Sequence, residues 1–216
     1  MTNEGLLHQA QFEFGAAQLS QLPADSGAEV AFAGRSNAGK SSAINALTGR
    51  KQLAFVSKTP GRTQQINYYR VEQGRYLVDL PGYGFARVPA AVQRSWQQVL
   101  SRYLQTRRAL RALVVIMDSR HPLTDLDAQM LEWFGQTGKP VLVLLTKADK
   151  LNRQEQTRTL RSVRQAVASD FPHCTVQLFS SVTRLGVNEA RGFILSRMFD
   201  RPSAEGEATS ANMGEA

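Results

Sequence analysis

The stretch GRSNAGKS, residues 34–41, constrains this 216-residue chain more than any other. It has the form G-x-x-x-x-G-K-[ST], follows the apolar run AEVAFAG (28–34) and leads into SSAINAL (41–47), which reads as a helix. In that context Gly34 and Gly39 let the backbone curl until successive N–H groups point into one concavity. The concavity lies at the positive end of the following helix and takes phosphate. Lys40 would reach the outer phosphates as a point charge, and Ser41 would give its hydroxyl to Mg²⁺ between them. Arg35, Ser36, Asn37 and Ala38 complete the cradle.

The segments that follow supply a sheet to carry such a loop. ALVVIMD (112–118), PVLVLLT (140–146) and VQLFS (176–180) are near-continuously apolar, as strands buried on both faces of a parallel sheet are. INYYRV (66–71) and RYLVDL (75–80), separated by EQG, read as a hairpin. Helical spacing recurs in four places: Val92, Trp96, Val99, Leu100, Tyr103 and Leu104 after Pro89; Leu126, Met130 and Phe134; Leu160, Val163 and Val167; and Val187, Ala190 and Ile194. This alternation predicts an α/β three-layer P-loop NTPase domain whose sheet is mixed, mostly parallel with one antiparallel edge. The expected organisation is a polar N-terminal segment over 1–22, a single domain over 23–201 and a disordered acidic tail over 202–216.

With 42% apolar residues the chain is long enough for one well-packed domain and too short for two full ones. Its longest apolar runs are strand-sized and its first residues do not resemble a signal peptide, so a cytoplasmic protein without membrane insertion is expected. Cys174 is the single cysteine, which excludes an internal disulfide and a cysteine-based zinc site, and His173 beside it adds no ligand set.

Further residues fit around a bound nucleotide. Asp79 closes a strand where a carboxylate can hold Mg²⁺ through water. Leu80 and Pro81 follow it, and Gly82 offers an N–H to the γ-phosphate. TKAD, residues 146–149, ends the strand VLVLL. There Asp149 can accept from the ring N–H and exocyclic amine of guanine, a pair of donors adenine lacks, and Lys147 can lay its stem over the base. Thr146 and Ala148 frame these two. Phe179, Ser180 and Ser181 could turn backbone N–H groups toward the guanine oxygen. Between the P-loop and the hairpin lies SKTPGRTQQ (57–65), a natural mobile loop in which Thr63 or Thr59 could complete the Mg²⁺ shell. The set points to GTP rather than ATP.

GRSNAGKSSAINALTG, KTPGRTQ, DLPGYGFA, MDSRHPLTDLD, TKADKL and FSS occur here in the order they have in the EngB (YihA/YsxC) GTP-binding proteins of bacteria, of the TrmE-Era-EngA-YihA-septin-like class. From about residue 9 to residue 200 the chain resembles that family. The resemblance implies a Ras-like G domain, GTP and Mg²⁺ binding, slow GTP hydrolysis, and a role in large ribosomal subunit assembly and normal cell division with septation. It favours Thr63 over Thr59 as the switch ligand to the metal, and adds Gly61, Arg62, Thr63, Gln64 and Gln65 to the nucleotide contacts. Where many GTPases have a water-orienting glutamine, this chain and the family it resembles have another residue, here Tyr83, expected to point away from the γ-phosphate. Asn37 is the compensating candidate. In related potassium-activated GTPases an asparagine there helps hold K⁺ against the phosphates, so that Asn37, Lys40 and Thr63 form the expected catalytic set; the other reading is that its amide only caps the loop backbone.

The net charge of +8 is unevenly spread: residues 202–216 hold three of the 18 acidic residues and none of the 26 basic ones, so the rest carries +11. Twenty of the basic residues are arginine, which suits bidentate phosphate contacts. Arg153, Arg158, Arg161 and Arg164, and a second group of Arg102, Arg107, Arg108 and Arg111, read as contacts to ribosomal RNA backbone. A GTPase switch docking on an assembling large subunit is the expectation, acting as a monomer. A GTP-dependent binding protein at the division septum with negligible catalysis is the alternative; TKAD argues against an ATPase or metabolic phosphotransferase.

Overall fold

The structure is a computed structural model that describes residues 3–54, 65–83 and 90–199. Thr59, Gly61, Arg62, Thr63 and Gln64, residues 84–89 and the tail expected over 202–216 lie outside the described residues.

Among the described residues one sheet has seven strands: β1 (Gln11–Ala16), β2 (Ala28–Gly34), β3 (Ile66–Glu72), β4 (Arg75–Asp79), β5 (Leu110–Asp118), β6 (Val141–Thr146) and β7 (Cys174–Leu178). Their spatial order is β1-β3-β4-β2-β5-β6-β7. The ladders from β4 through β2, β5 and β6 to β7 are parallel; β1–β3 and β3–β4 are antiparallel. The hairpin is as expected, but the antiparallel edge is one strand wider, because β1 forms within the segment read as merely polar.

The helices are α1 (Lys40–Thr48), α2 (Ala90–Thr106), α3 (Asp125–Gly135), α4 (Arg153–Ala168) and α5 (Val187–Phe199). The two-residue period of the central strands deals their side chains to two cores. Val30 and Phe32 of β2, Val114 and Ile116 of β5, and Leu142 and Leu144 of β6 meet α1 and α5 through Ile44, Leu47 and Ile194. Ala31, Ala33, Leu113, Val115, Val143 and Leu145 face the other way, onto Leu104 of α2, Phe134 of α3 and Val163 of α4. Each fully buried Leu, Ile or Phe contributes roughly 1.5–3 kcal/mol. The layers bring the C-terminal ends of β2, β4, β5 and β6 to one rim, where a doubly wound sheet places its ligands.

Candidate functional site

The P-loop leaves β2 at Gly34, where a side chain has no room: a Cβ would lie 2.9 Å from the Ile116 side chain and carbonyl on β5. Asn37 and Gly39 both take positive φ, +62° and +102°. Asparagine tolerates that region better than most residues, so the loop's curl follows from its sequence. Gly39 is the N-cap of α1 and offers no side-chain cap, so the first N–H groups of α1 stay free to meet an anion. Lys40 forms a half-buried ion pair with Asp79 at the end of β4. The Ser41 hydroxyl and the Asn37 side-chain amide make no hydrogen bond among the described residues, so the backbone-capping reading of Asn37 is not what this conformation shows.

The base-reading side is tied to the same loop. The Thr146 hydroxyl, buried, sits between the carbonyls of Ala38 and Met117. Lys147, at φ +58°, turns the chain off β6, and its ammonium donates to the Asn37 carbonyl at 2.7 Å and to Asp118 at 2.9 Å. Asp149 lies next to Ser180, whose hydroxyl donates to its carboxylate at 2.6 Å. That bond, reinforced by Lys150, holds the Asp149 carboxyl below its ordinary value against the opposing effect of burial. The Ser180 oxygen also accepts from the N–H groups of Val182 and Thr183, so its donor direction is fixed.

Other expected contacts are narrowed. The N–H groups of Phe179 and Ser180 are committed to Leu145 and Leu185, and the Phe179 ring is buried in the core. Of the three N–H groups expected to face a guanine oxygen, only that of Ser181 is uncommitted among the described residues. The Leu80 N–H is bound to Phe32, while that of Gly82 has no partner among the described residues. Gln65 lies against β1: its amide oxygen stands 2.5 Å from where a Gly15 Cβ would be. The Arg35 side chain turns to the His121 carbonyl at 3.0 Å and Asp127 at 3.3 Å, leaving Arg35 only its backbone for phosphate.

Tyr83 is likewise occupied elsewhere. Its backbone pairs with the P-loop, Tyr83 N–H to the Gly34 carbonyl and Ser36 N–H to the Tyr83 carbonyl, and its hydroxyl donates to Asp127 at 2.9 Å. Burial, then the Asp127 charge, pushes the phenol far above its ordinary range. It serves as a strut between the P-loop and the start of α3.

Sequence reasoning missed Asp118. Its carboxyl is buried, which opposes ionisation, yet the hydrogen bonds from Arg120 (2.6 Å) and Lys147 outweigh this and hold it far below the usual range. The signal was a carboxylate closing a strand, β5, that is otherwise entirely apolar from Ala112 to Met117. One arginine read as an RNA contact is corrected: Arg107 is buried and grips Glu29 with bonds of 2.6 and 3.0 Å. Arg164 donates twice to the Val176 carbonyl of β7 yet stays exposed, as do Arg102, Arg108, Arg111, Arg153, Arg158 and Arg161.

Residues 29–147 match a family model described as "50S ribosome-binding GTPase". The chain is 60% identical over 190 residues to a probable GTP-binding protein EngB of Thiobacillus denitrificans, covering 88% of this chain and 91% of that one. With the corresponding protein of Nitrosomonas europaea it shares 53% identity over 210 residues, 97% of this chain and 94% of the other. The chain belongs to the EngB family of GTP-binding proteins. Solved structures agree on the fold. A probable GTP-binding protein EngB superposes with TM-score 0.64 at 20% identity over 81% of this chain and all of that one. Era, crystallised with MgGDPNP and a segment of 16S ribosomal RNA, gives 0.62 at 18% identity over 81% of this chain and 58% of its own. EngB membership accounts for the convergence of the P-loop, Asp79 and TKAD on one rim, and makes the fold a Ras-like G domain. Among the described residues no helix is long and apolar enough to cross a membrane.

Proposed function

We propose that this EngB-family chain is a slow, Mg²⁺-dependent GTPase that acts as a monomeric cytoplasmic switch in assembly of the large ribosomal subunit, and supports normal division and septation through that role. The observation that carries the GTP reading is the Asp149 carboxylate, aimed by Ser180 and linked through the neighbouring Lys147 to the P-loop carbonyl of Asn37. A carboxylate so fixed matches two guanine donors and is left unpaired by adenine.

The donors at the head of α1 fit the metal. The Ser41 hydroxyl and the Asp79 carboxylate are hard oxygens, the class Mg²⁺ takes along with phosphate and water, and Thr63 would add a third. Held there, Mg²⁺ would supply positive charge against the phosphates. The chain's own groups do the rest. N–H groups of Gly39, Lys40 and Ser41 receive phosphate oxygens, and Lys40 exchanges Asp79 for them. Gly82 donates its N–H to the γ-phosphate. With Tyr83 committed to Asp127, no side chain at that position orients the attacking water, which fits low intrinsic turnover; Asn37 would hold K⁺, which would supply positive charge to offset that developing on the transferred group.

The exposed arginines of α4 and of the segment after α2 support an RNA partner, since guanidinium groups bind phosphate backbone without reading sequence. Co-sedimentation with precursor and mature large subunits tests this. The chain pellets with precursor particles in a non-hydrolysable GTP analogue and is released in GDP or high salt. Arg158→Glu with Arg161→Glu lowers pelleting while GTP affinity stays unchanged. Equal pelleting in GDP and in the analogue, or none in either, overturns the ribosomal reading.

A further inference from the structure

Among the described residues Phe12 is the one aromatic in the set of exposed large apolar side chains, 57% accessible on β1, an edge strand of the sheet. Its position is not the product of simple alternation. Phe12 and Phe14 are two residues apart and in a regular strand would share a face. A bulge falls between them, so that Phe12 pairs with Tyr69 and Phe14 with Tyr68, neighbours that point to opposite sides of β3. Phe14 therefore stacks on Tyr68 over the α2 side of the sheet at 4.8 Å. Phe12 is delivered to the α1 side, edge-on against Tyr69 at 6.0 Å and 64°. Bulges characteristically re-aim a side chain in this way.

The side chain so aimed borders a cavity of about 520 Å³, within the roughly 300–1,000 Å³ usual for ligand sites. Its opposite wall is the segment after α1, with Arg50, Lys51 and Gln52, and Gln11 lies beside Phe12. Arg50 and Lys51 are exposed and form no ion pair among the described residues. The carboxylate at the bulge, Glu13, does not line the cavity and is paired with Arg70 at 3.0 Å. The lining thus carries two free cations, two amides, an exposed ring and no acid. The cavity stands at the C-terminal end of α1, about 13 Å along the helix from the P-loop, so it is separate from the nucleotide site.

We propose that this cavity is a single-stranded RNA site, in which an unstacked base lies on Phe12 and the adjoining phosphates meet Arg50 and Lys51. An aromatic platform on a sheet flanked by basic side chains is the recurrent chemistry of single-strand recognition, and it tolerates any base because every base has a π face. A peptide added as an eighth strand fits less well, since the bulge interrupts the ladder such a strand would need. The assignment rests on the ribosomal reading above for which RNA is bound, but not for the chemistry of the site.

The test uses the full chain saturated with GDP and a short fluorescein-labelled oligoadenylate RNA, followed by anisotropy. Phe12→Ala weakens binding about tenfold and Phe12→Tyr stays within about twofold of the starting protein. Arg50→Gln with Lys51→Gln lowers the slope of log affinity against log salt by about 1.4. Unchanged GDP affinity shows that each variant is folded. Absence of oligonucleotide binding, equal binding by the Phe12→Ala variant, or equal Phe12 dependence on duplex RNA each overturns the site. If the starting chain pellets with precursor subunits and Phe12→Ala loses none of the oligonucleotide, this site fails while the ribosomal reading stands. If the oligonucleotide result holds without pelleting, the ribosomal reading fails and the site stands.

Discussion

The Ser180 oxygen accepts from two backbone N–H groups and so has one direction left in which to donate, toward Asp149. Two consequences follow for Ser180→Ala. Near neutral pH Asp149 stays ionised but loses its fixed orientation, so GDP affinity falls about tenfold, as for a lost hydrogen bond to a charged group. In acid the effect grows. The Asp149 carboxyl is held below its ordinary value, so the carboxylate that guanine needs persists into acid and is lost only as pH falls through that lowered value. Removing the Ser180 bond raises it, and the acid limb of GDP binding, measured by calorimetry between pH 3.5 and 7 (the span an ordinary carboxyl requires, about 3.9 upward), moves to higher pH. An unchanged acid limb would mean that Ser180 does not govern Asp149. Asn37 permits a second residue-level test. Its side chain is exposed and without a partner among the described residues, on a backbone at φ +62°. GTP turnover should be faster in KCl than in NaCl at equal ionic strength, and Asn37→Asp should abolish the difference; equal rates in the two salts in the starting protein would remove K⁺ from the account.

At the scale of elements, what the sequence disclosed and what it hid have distinct physical reasons. The P-loop, the hairpin and the helices of the α/β alternation were legible because glycine placement and apolar period encode them locally. β1 was overlooked although Phe12 and Phe14 alternate with Gln11 and Glu13; what the local pattern does not encode is the bulge between the two rings, which sends them to opposite faces of the sheet. The arginines of α2 and α4 show the other limit. Arg158, Arg161 and Arg164 follow one another at equal three-residue steps, yet Arg164 is turned onto the Val176 carbonyl, a partner twelve residues on whose position depends on how α4 packs against β7. In the candidate site, Lys40, Asp79 and Asp149 were legible from motif spacing. The Asp118 carboxylate, the commitment of Tyr83 to Asp127 and the use of Phe179 and Ser180 N–H groups inside the fold were not, because each depends on a contact between elements distant in sequence.

Across the whole molecule, the end of the sheet opposite the nucleotide rim is closed by a buried polar cluster. Glu29 sits in the apolar strand β2 with no exposure, and its carboxylate receives the Tyr103 hydroxyl at 2.8 Å, the Tyr68 hydroxyl at 3.3 Å and the Arg107 guanidinium. Arg107 in turn donates to the carbonyls of Pro23 and Ala24, and Lys139 donates to the Arg107 carbonyl, so the cluster ties together β2, the C-terminal end of α2, β3 and the segment before β2. Burial opposes the charge on Arg107, but the hydrogen bonds and charge of Glu29 raise its pKa above the ordinary value, so the guanidinium keeps its charge inside the fold. Arg107→Met deletes one partner and leaves Glu29 buried without its counter-ion, a change that costs about 3–5 kcal/mol. In a domain of this size that lowers Tm by roughly 10 °C. Pairing it with Glu29→Gln removes the stranded charge and restores part of the loss. GDP affinity at a temperature where all variants are folded should not change, because Glu29 lies about 16 Å along β2 from Gly34. If Arg107→Met instead left Tm unaltered and reduced pelleting with precursor subunits, Arg107 would be an RNA contact after all, and α2 would have to present it outward.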